Sequence, residues 1–147
     1  MGAWGWSTLS DDTALDVLDE WMSSSTPLEV MKGVLEEALE SDSLDYTQAH
    51  EMSVLAMVVD HCLNGISVVD QPETQDIEGY TAWLKKLNLK QIQRMKIDVA
   101  QCVDLIIDEN CELAQLWAES ASLYEQWHQN QMDRRDRLLP HYDVESE

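Results

Sequence analysis

The feature that most limits the fold is an apolar run within a helical pattern near the middle of the chain. Met52, Leu55, Ala56, Val59 and Leu63 recur at helical spacing and line one face. Val54, Met57 and Val58 then occupy the other faces. A surface helix keeps one polar side toward water, so a helix apolar nearly all round belongs at the centre of its domain. The segment opens at Asp45, reaches Asn64 and stops at Gly65, a residue suited to the position after a helix end.

The flanking segments supply helices to surround it. The first opens at Ser10 or Asp11, either a good N-cap, and runs to Met22. It turns Ala14, Leu15, Leu18, Trp21 and Met22 inward and Asp12, Asp16, Asp19 and Glu20 outward. Thr26, Pro27 and Glu29 have the spacing of a capping box with proline at the first helical position. The second helix then runs to Glu40, burying Leu28, Met31, Leu35 and Leu39. Residues 65–75 read as a loop, in which Ile66–Val69 is the only stretch resembling a strand, and a short helix follows over Asp76–Leu87. A long helix over Leu89–Asp108 buries Ile92, Met95, Val99, Val103 and Ile106. Asn110 can cap a last helix, Cys111–Arg137, with Leu113, Leu116, Trp117, Leu123, Tyr124 and Trp127 toward the core. At 147 residues this predicts a single all-α domain, a bundle of five to six helices. Residues 1–9 form an N-terminal segment in which Trp4 and Trp6 close the core as a staple or fold back as a lid; residues 138–147 form a tail.

The net charge is −20, and it is uneven. Residues 1–60 hold thirteen acidic residues against one base, Lys32. Residues 61–100 balance five of each, with Lys85, Lys86, Lys90, Arg94 and Lys96 making a basic belt, and residues 101–147 hold eleven acids and three bases. Such a potential repels nucleic acid and anionic membrane and attracts basic partners. A charged run is ordinarily a solvated face, and acidity by itself favours solubility. However, helices that need only solubility intersperse lysine at i+4, and the first sixty residues scarcely do so. The candidate contact residues are therefore Glu36, Glu37, Glu40, Asp42 and Asp45, with Asp12, Asp16, Asp19 and Glu20 beside them.

Chemistry is harder to find. Cys62, Cys102 and Cys111 lie in apolar helical patterns without a C-x-x-C pair and read as free buried thiols of a reducing compartment. His61 and Cys62 are adjacent and do not face one another on a helix, so they read as packed side chains. Glu125 and His128 have the i, i+3 spacing of a di-iron carboxylate site but lack the second pair such sites require. No metal, cofactor or catalytic residue is expected. The N-terminus has no basic region followed by an apolar one, and no apolar stretch is long enough to span a bilayer; a cytoplasmic protein is expected.

The opening Met-Gly-Ala-Trp-Gly, followed by Asp11, Asp12, Ala14 and Asp16, resembles a bacterial family, domain-of-unknown-function family 4259. Asn110, Glu112, Leu113, Leu116, Trp117 and Trp127 resemble its C-terminal pattern, and the likeness extends more loosely through the central helix. The chain departs from the pattern at Ser7, Leu9 and Asp11, where Gly, Phe and Asn are usual. The resemblance implies no activity or catalytic residues. It implies a small bacterial protein of a kind encoded in some cases beside toxins as an immunity partner.

Charge and resemblance together lead to an expected function: a non-enzymatic immunity protein that occludes the basic surface of a cognate toxin, with a nuclease fitting best. The alternatives are a DNA mimic that inhibits a nucleic-acid-binding protein, a small helical enzyme centred on His61/Cys62 or Glu125/His128, and a housekeeping oligomer. Neither a nucleic-acid nor a membrane partner is expected; oligomeric state is left open.

Overall fold

Every face of the central helix, α3 (Tyr46–Asn64), is covered from Met52 through His61. The computed structural model describes residues 12–41, 44–64, 79–108, 111–119 and 121–139, which form seven helices and no strand among the described residues. Around α3 stand α1 (Asp12–Ser23), α2 (Pro27–Leu39), α4 (Tyr80–Lys86), α5 (Leu89–Ile106), α6 (Glu112–Trp117) and α7 (Ala121–Leu138), and it touches all six. This is the burial that its all-round apolar sequence demands.

Side-chain pairings set the directions of the long helices. Gln131 Nε2 donates to Ser53 Oγ at 2.9 Å, and Arg134 Nε donates to Asp60 at 3.2 Å, so positions rise together and α7 runs the same way as α3. At the other end, the Tyr46 N–H donates to Glu112 Oε1 at 3.0 Å, just past the end of α5, while Asn64 shares a cavity with Gln93 and Lys96 near the start of α5. α5 therefore runs opposite to α3. The N-terminus of α3 is closed by a reciprocal cap. Asp45 Oδ1 accepts from the Gln48 N–H at 2.8 Å, and Gln48 Oε1 accepts from the Asp45 N–H at 3.2 Å.

Four sequence expectations change. Pro27 does begin α2, but the Thr26 side chain makes no cap bond; its carbonyl instead accepts from the Glu29 and Val30 N–H groups. Thr26 sits at φ −133° and ψ 61°, outside the extended backbone from which a cap side chain reaches the first turn. α2 buries Met31, Leu35 and Ala38, whereas Leu39 is 42% exposed. The expected single last helix is two, α6 and α7. The Trp117 and Trp127 rings stack at 5.5 Å and 14°, although ten residues of continuous helix would separate them by about 15 Å. The chain must fold back to make that contact. Finally, Leu138 ends α7 fully buried, so it is core and not tail.

The start of α4 is set by Gly79, whose φ of 82° is open to glycine and strained for other residues. Asn88 caps α5, accepting from the Gln91 N–H at 3.1 Å. The Ser10/Asp11 cap, Trp4, Trp6, Ile66–Val69 and the expected helix start at Asp76 lie outside the described residues. Among the described residues, no helix is long and apolar enough to cross a membrane.

Candidate protein-binding surface

Asp16, Asp19 and Glu20 are exposed on α1, as are Glu36, Glu37 and Glu40 on α2 and at its end, and Asp45 at the start of α3. Asp12 opens α1, but its side chain lies outside the described residues, as does all of Asp42. The fold brings part of this set together around a carboxylate that the sequence did not single out. Glu51 on α3 is half-buried, and its pKa is raised, first by burial and then by the charges of Glu37, Asp45 and Glu20. Three elements thus contribute to one negative field.

Nothing in the described residues neutralises that field. No ion pair among them reaches Asp16, Asp19, Glu20, Glu36, Glu37, Glu40 or Asp45, and Lys32 stands exposed on α2 without one. The helix dipoles also work against the arrangement. Glu20 is in the last turn of α1, Glu36 and Glu37 are in the last turn of α2, Glu40 is its C-cap, and neither turn carries a base. Carboxylates at the negative end of a helix are destabilising by roughly 0.3–1 kcal/mol each at low salt. Asp45 is the exception, since it caps a helix N-terminus where negative charge is favoured. Leu39, 42% exposed, lies three residues from Glu36 and so on the same side of α2, which puts an apolar spot beside that carboxylate.

At the other end of α3 the charges are buried and matched. Asp60 is 2% exposed and Arg134 is 0% exposed. Arg137 donates to Asp60 through Nε at 3.1 and 3.2 Å and through Nη2 at 2.6 Å, and Asn64 Nδ2 adds a bond at 2.8 Å. Burial pushes the Asp60 carboxyl up, but the Arg137 hydrogen bond and the Arg134 and Arg137 charges outweigh it, and the net pKa is lowered. Next to it, His61 Nδ1 lies 2.8 Å from the Tyr80 hydroxyl. Burial, with Arg134 nearby, pulls the His61 pKa down to about 3, so the ring is neutral near pH 7. The sequence reading missed Asp60, Arg134 and Arg137. The available signal was Asp60 itself, a carboxylate inside an apolar helix, which must find a cation when buried.

His61 and Cys62, the first of the enzyme-like pairs, pack within the bundle. Burial pushes the Cys62 thiol up to about 11, leaving it protonated near neutral pH, the opposite of an activated thiolate. Cys102 is likewise pushed up to about 11, and all three cysteines are free. Glu125 is exposed, while His128 is half-buried with its ring 5.5 Å from Tyr124. Among the described residues, no group of three or more His, Cys, Asp or Glu side chains is arranged to hold a metal ion.

The family model described as a domain of unknown function (DUF4259) matches residues 2–130, most of the chain. The chain belongs to the DUF4259 family. The match takes in the acidic surface and Asp60 but ends within α7, so Arg134 and Arg137 lie beyond the matched part of the DUF4259 domain. No curated protein and no solved structure matches the chain.

Proposed function

We propose that this DUF4259 protein is a non-enzymatic binding protein of the cytoplasm, an immunity protein that neutralises a cognate bacterial toxin by covering its basic active-site surface. The observation that carries the reading is the convergence of Glu20, Glu37 and Asp45 on Glu51, exposed around its rim and without a described cation. Such crowding works against folding, and a partner's lysine or arginine set among these carboxylates relieves it. Long-range attraction would speed encounter, and Leu39 would supply apolar contact once docked. A nuclease suits the surface best, because a cleft that binds phosphates is basic.

The test pairs the protein with the product of the neighbouring gene and follows association by stopped-flow. The triple variant Glu36→Lys, Glu37→Lys, Glu40→Lys should slow association at least about tenfold at low salt. Its circular dichroism should be unchanged, and added salt should erase most of the difference. Equal association rates for the two proteins would remove the acidic surface from the contact.

A further inference from the structure

We infer that the basic face formed by α4 and α5 is a docking surface for an acidic segment of this same chain, residues 140–147. Lys85 and Lys86 stand in the last turn of α4, and Lys90 and Arg94 follow on α5. All four are exposed, and no ion pair among the described residues reaches any of them. Lys90, Arg94 and Ile97 are spaced i, i+4 and i+7 and so share one stripe of α5. Leu89 and Ile97, 48% and 43% exposed, are two of the three large apolar side chains exposed among the described residues. The helix itself does not favour this charge: Lys90 sits in the first turn of α5, at the positive end of its dipole, and no acid shares that turn. A face that is basic, partly apolar and unmatched is complementary to a segment that is acidic and carries apolar side chains.

Residues 140–147, which lie outside the described residues, hold Asp143, Glu145 and Glu147 with no Lys or Arg, and Tyr142 and Val144 stand among them. They also follow α7 at a suitable place. Arg137 lines one cavity with Gln93 and Lys96, so the end of α7 stands beside the stretch of α5 that carries Arg94 and Ile97. Eight extended residues reach up to about 26 Å, whereas Lys90 to Ile97 covers only about 10 Å of helix. Exposed ion pairs are individually weak. Joined to α7, however, these acids are held near the face at an effective concentration on the order of millimolar. A nucleic acid, an anionic membrane or a second copy would bring many more negative charges toward a chain of net charge −20, and residues 140–147 bring none that the chain does not already carry. The face lies at the opposite end of α3 from Glu51, so the inference does not rest on the proposed toxin contact.

The test follows the Leu89 and Ile97 methyl signals by NMR at low salt and high dilution. The full chain is compared with its variant Asp143→Asn, Glu145→Gln, Glu147→Gln, in which residues 140–147 lose their charge and nothing described is altered. The two signals should differ between the proteins, and the difference should shrink at least about twofold near 1 M salt, where the screening length falls to about 3 Å. Lys90→Glu with Arg94→Glu should remove the difference from the other side, with circular dichroism unchanged. If that pair disturbs the fold, Lys90→Gln alone should still reduce it. Identical signals in the full chain and the triple variant would overturn the inference. So would signals that move only as protein concentration rises, which would assign the face to a second copy, or only when a short DNA duplex is added.

Discussion

The two ends of α3 handle charge in opposite ways. At the N-terminal end, Glu51 sits half-buried among Glu20, Glu37 and Asp45, and its proton is held more tightly than usual. At the C-terminal end, Asp60 is fully buried yet holds its proton less tightly, because Arg137, Arg134 and Asn64 bond to its ionised form. The one arrangement leaves negative charge facing solvent and opposing the fold. The other locks the end of α7 onto α3. Asp60 is thus matched by Arg134 and Arg137, whereas Glu51 and the carboxylates around it have no described cation.

The largest effect should follow from breaking the matched end. Asp60→Asn takes from the buried Arg134 the carboxylate it donates to, and Arg134→Met leaves Asp60 with the partly exposed Arg137 and Asn64. Each should be destabilising by about 3–5 kcal/mol, read as a lower urea midpoint. Changing both together to apolar residues should recover part of that loss, since a buried pair removed as a unit is far less damaging than a pair halved.

Acid should separate the ends by sign. The folded-state pKa of His61 is about 3, below its ordinary value of 6.5, so stability it contributes above pH 6.5 is lost as pH falls toward 3. Asp60, lowered from 3.8, adds a further loss below that value. Glu51, raised from 4.5, acts in reverse: folding gains as pH falls through its folded-state pKa toward 4.5. Urea midpoints measured between neutral pH and pH 4 should therefore fall less steeply for His61→Gln than for the natural protein, and more steeply for Glu51→Gln.

The sequence showed the helical class, the central helix and most of its apolar neighbours, because these depend on local periodicity. It missed what depends on distance along the chain. Asp60 counted among the thirteen acids of the first sixty residues, yet its cations lie 74 and 77 positions away. The break before α7 was hidden for the same reason: no proline or glycine marks residues 118–120, and what reveals the break is a contact across it, the stacking of Trp117 on Trp127. Leu39 was placed inward by spacing, but Ala38 takes the buried position. Of the acidic residues expected at a contact, Glu20, Glu37 and Asp45 do converge, while Glu51, at the centre, was hidden on a mostly buried helix.

Asp45 allows a smaller test, since it is both an acid of the surface and the cap of α3. Asp45→Ala should be destabilising by about 1 kcal/mol through loss of the cap, whereas Asp45→Asn, which keeps a capping oxygen, should leave thermal stability nearly unchanged. Equal losses for the two would mean that the charge, and not the cap, is what the fold uses.

The central claim is that the acidic end is kept against the interest of folding. The direct measurement is equilibrium urea unfolding at neutral pH and low salt of the variant Glu20→Gln, Glu37→Gln, Glu51→Gln, which removes the three carboxylates while nearly preserving shape. The expected result is a higher midpoint, a gain on the order of 1 kcal/mol at an unchanged slope, shrinking as salt is added. A lower midpoint would show that these carboxylates hold the bundle together, and would contradict the account.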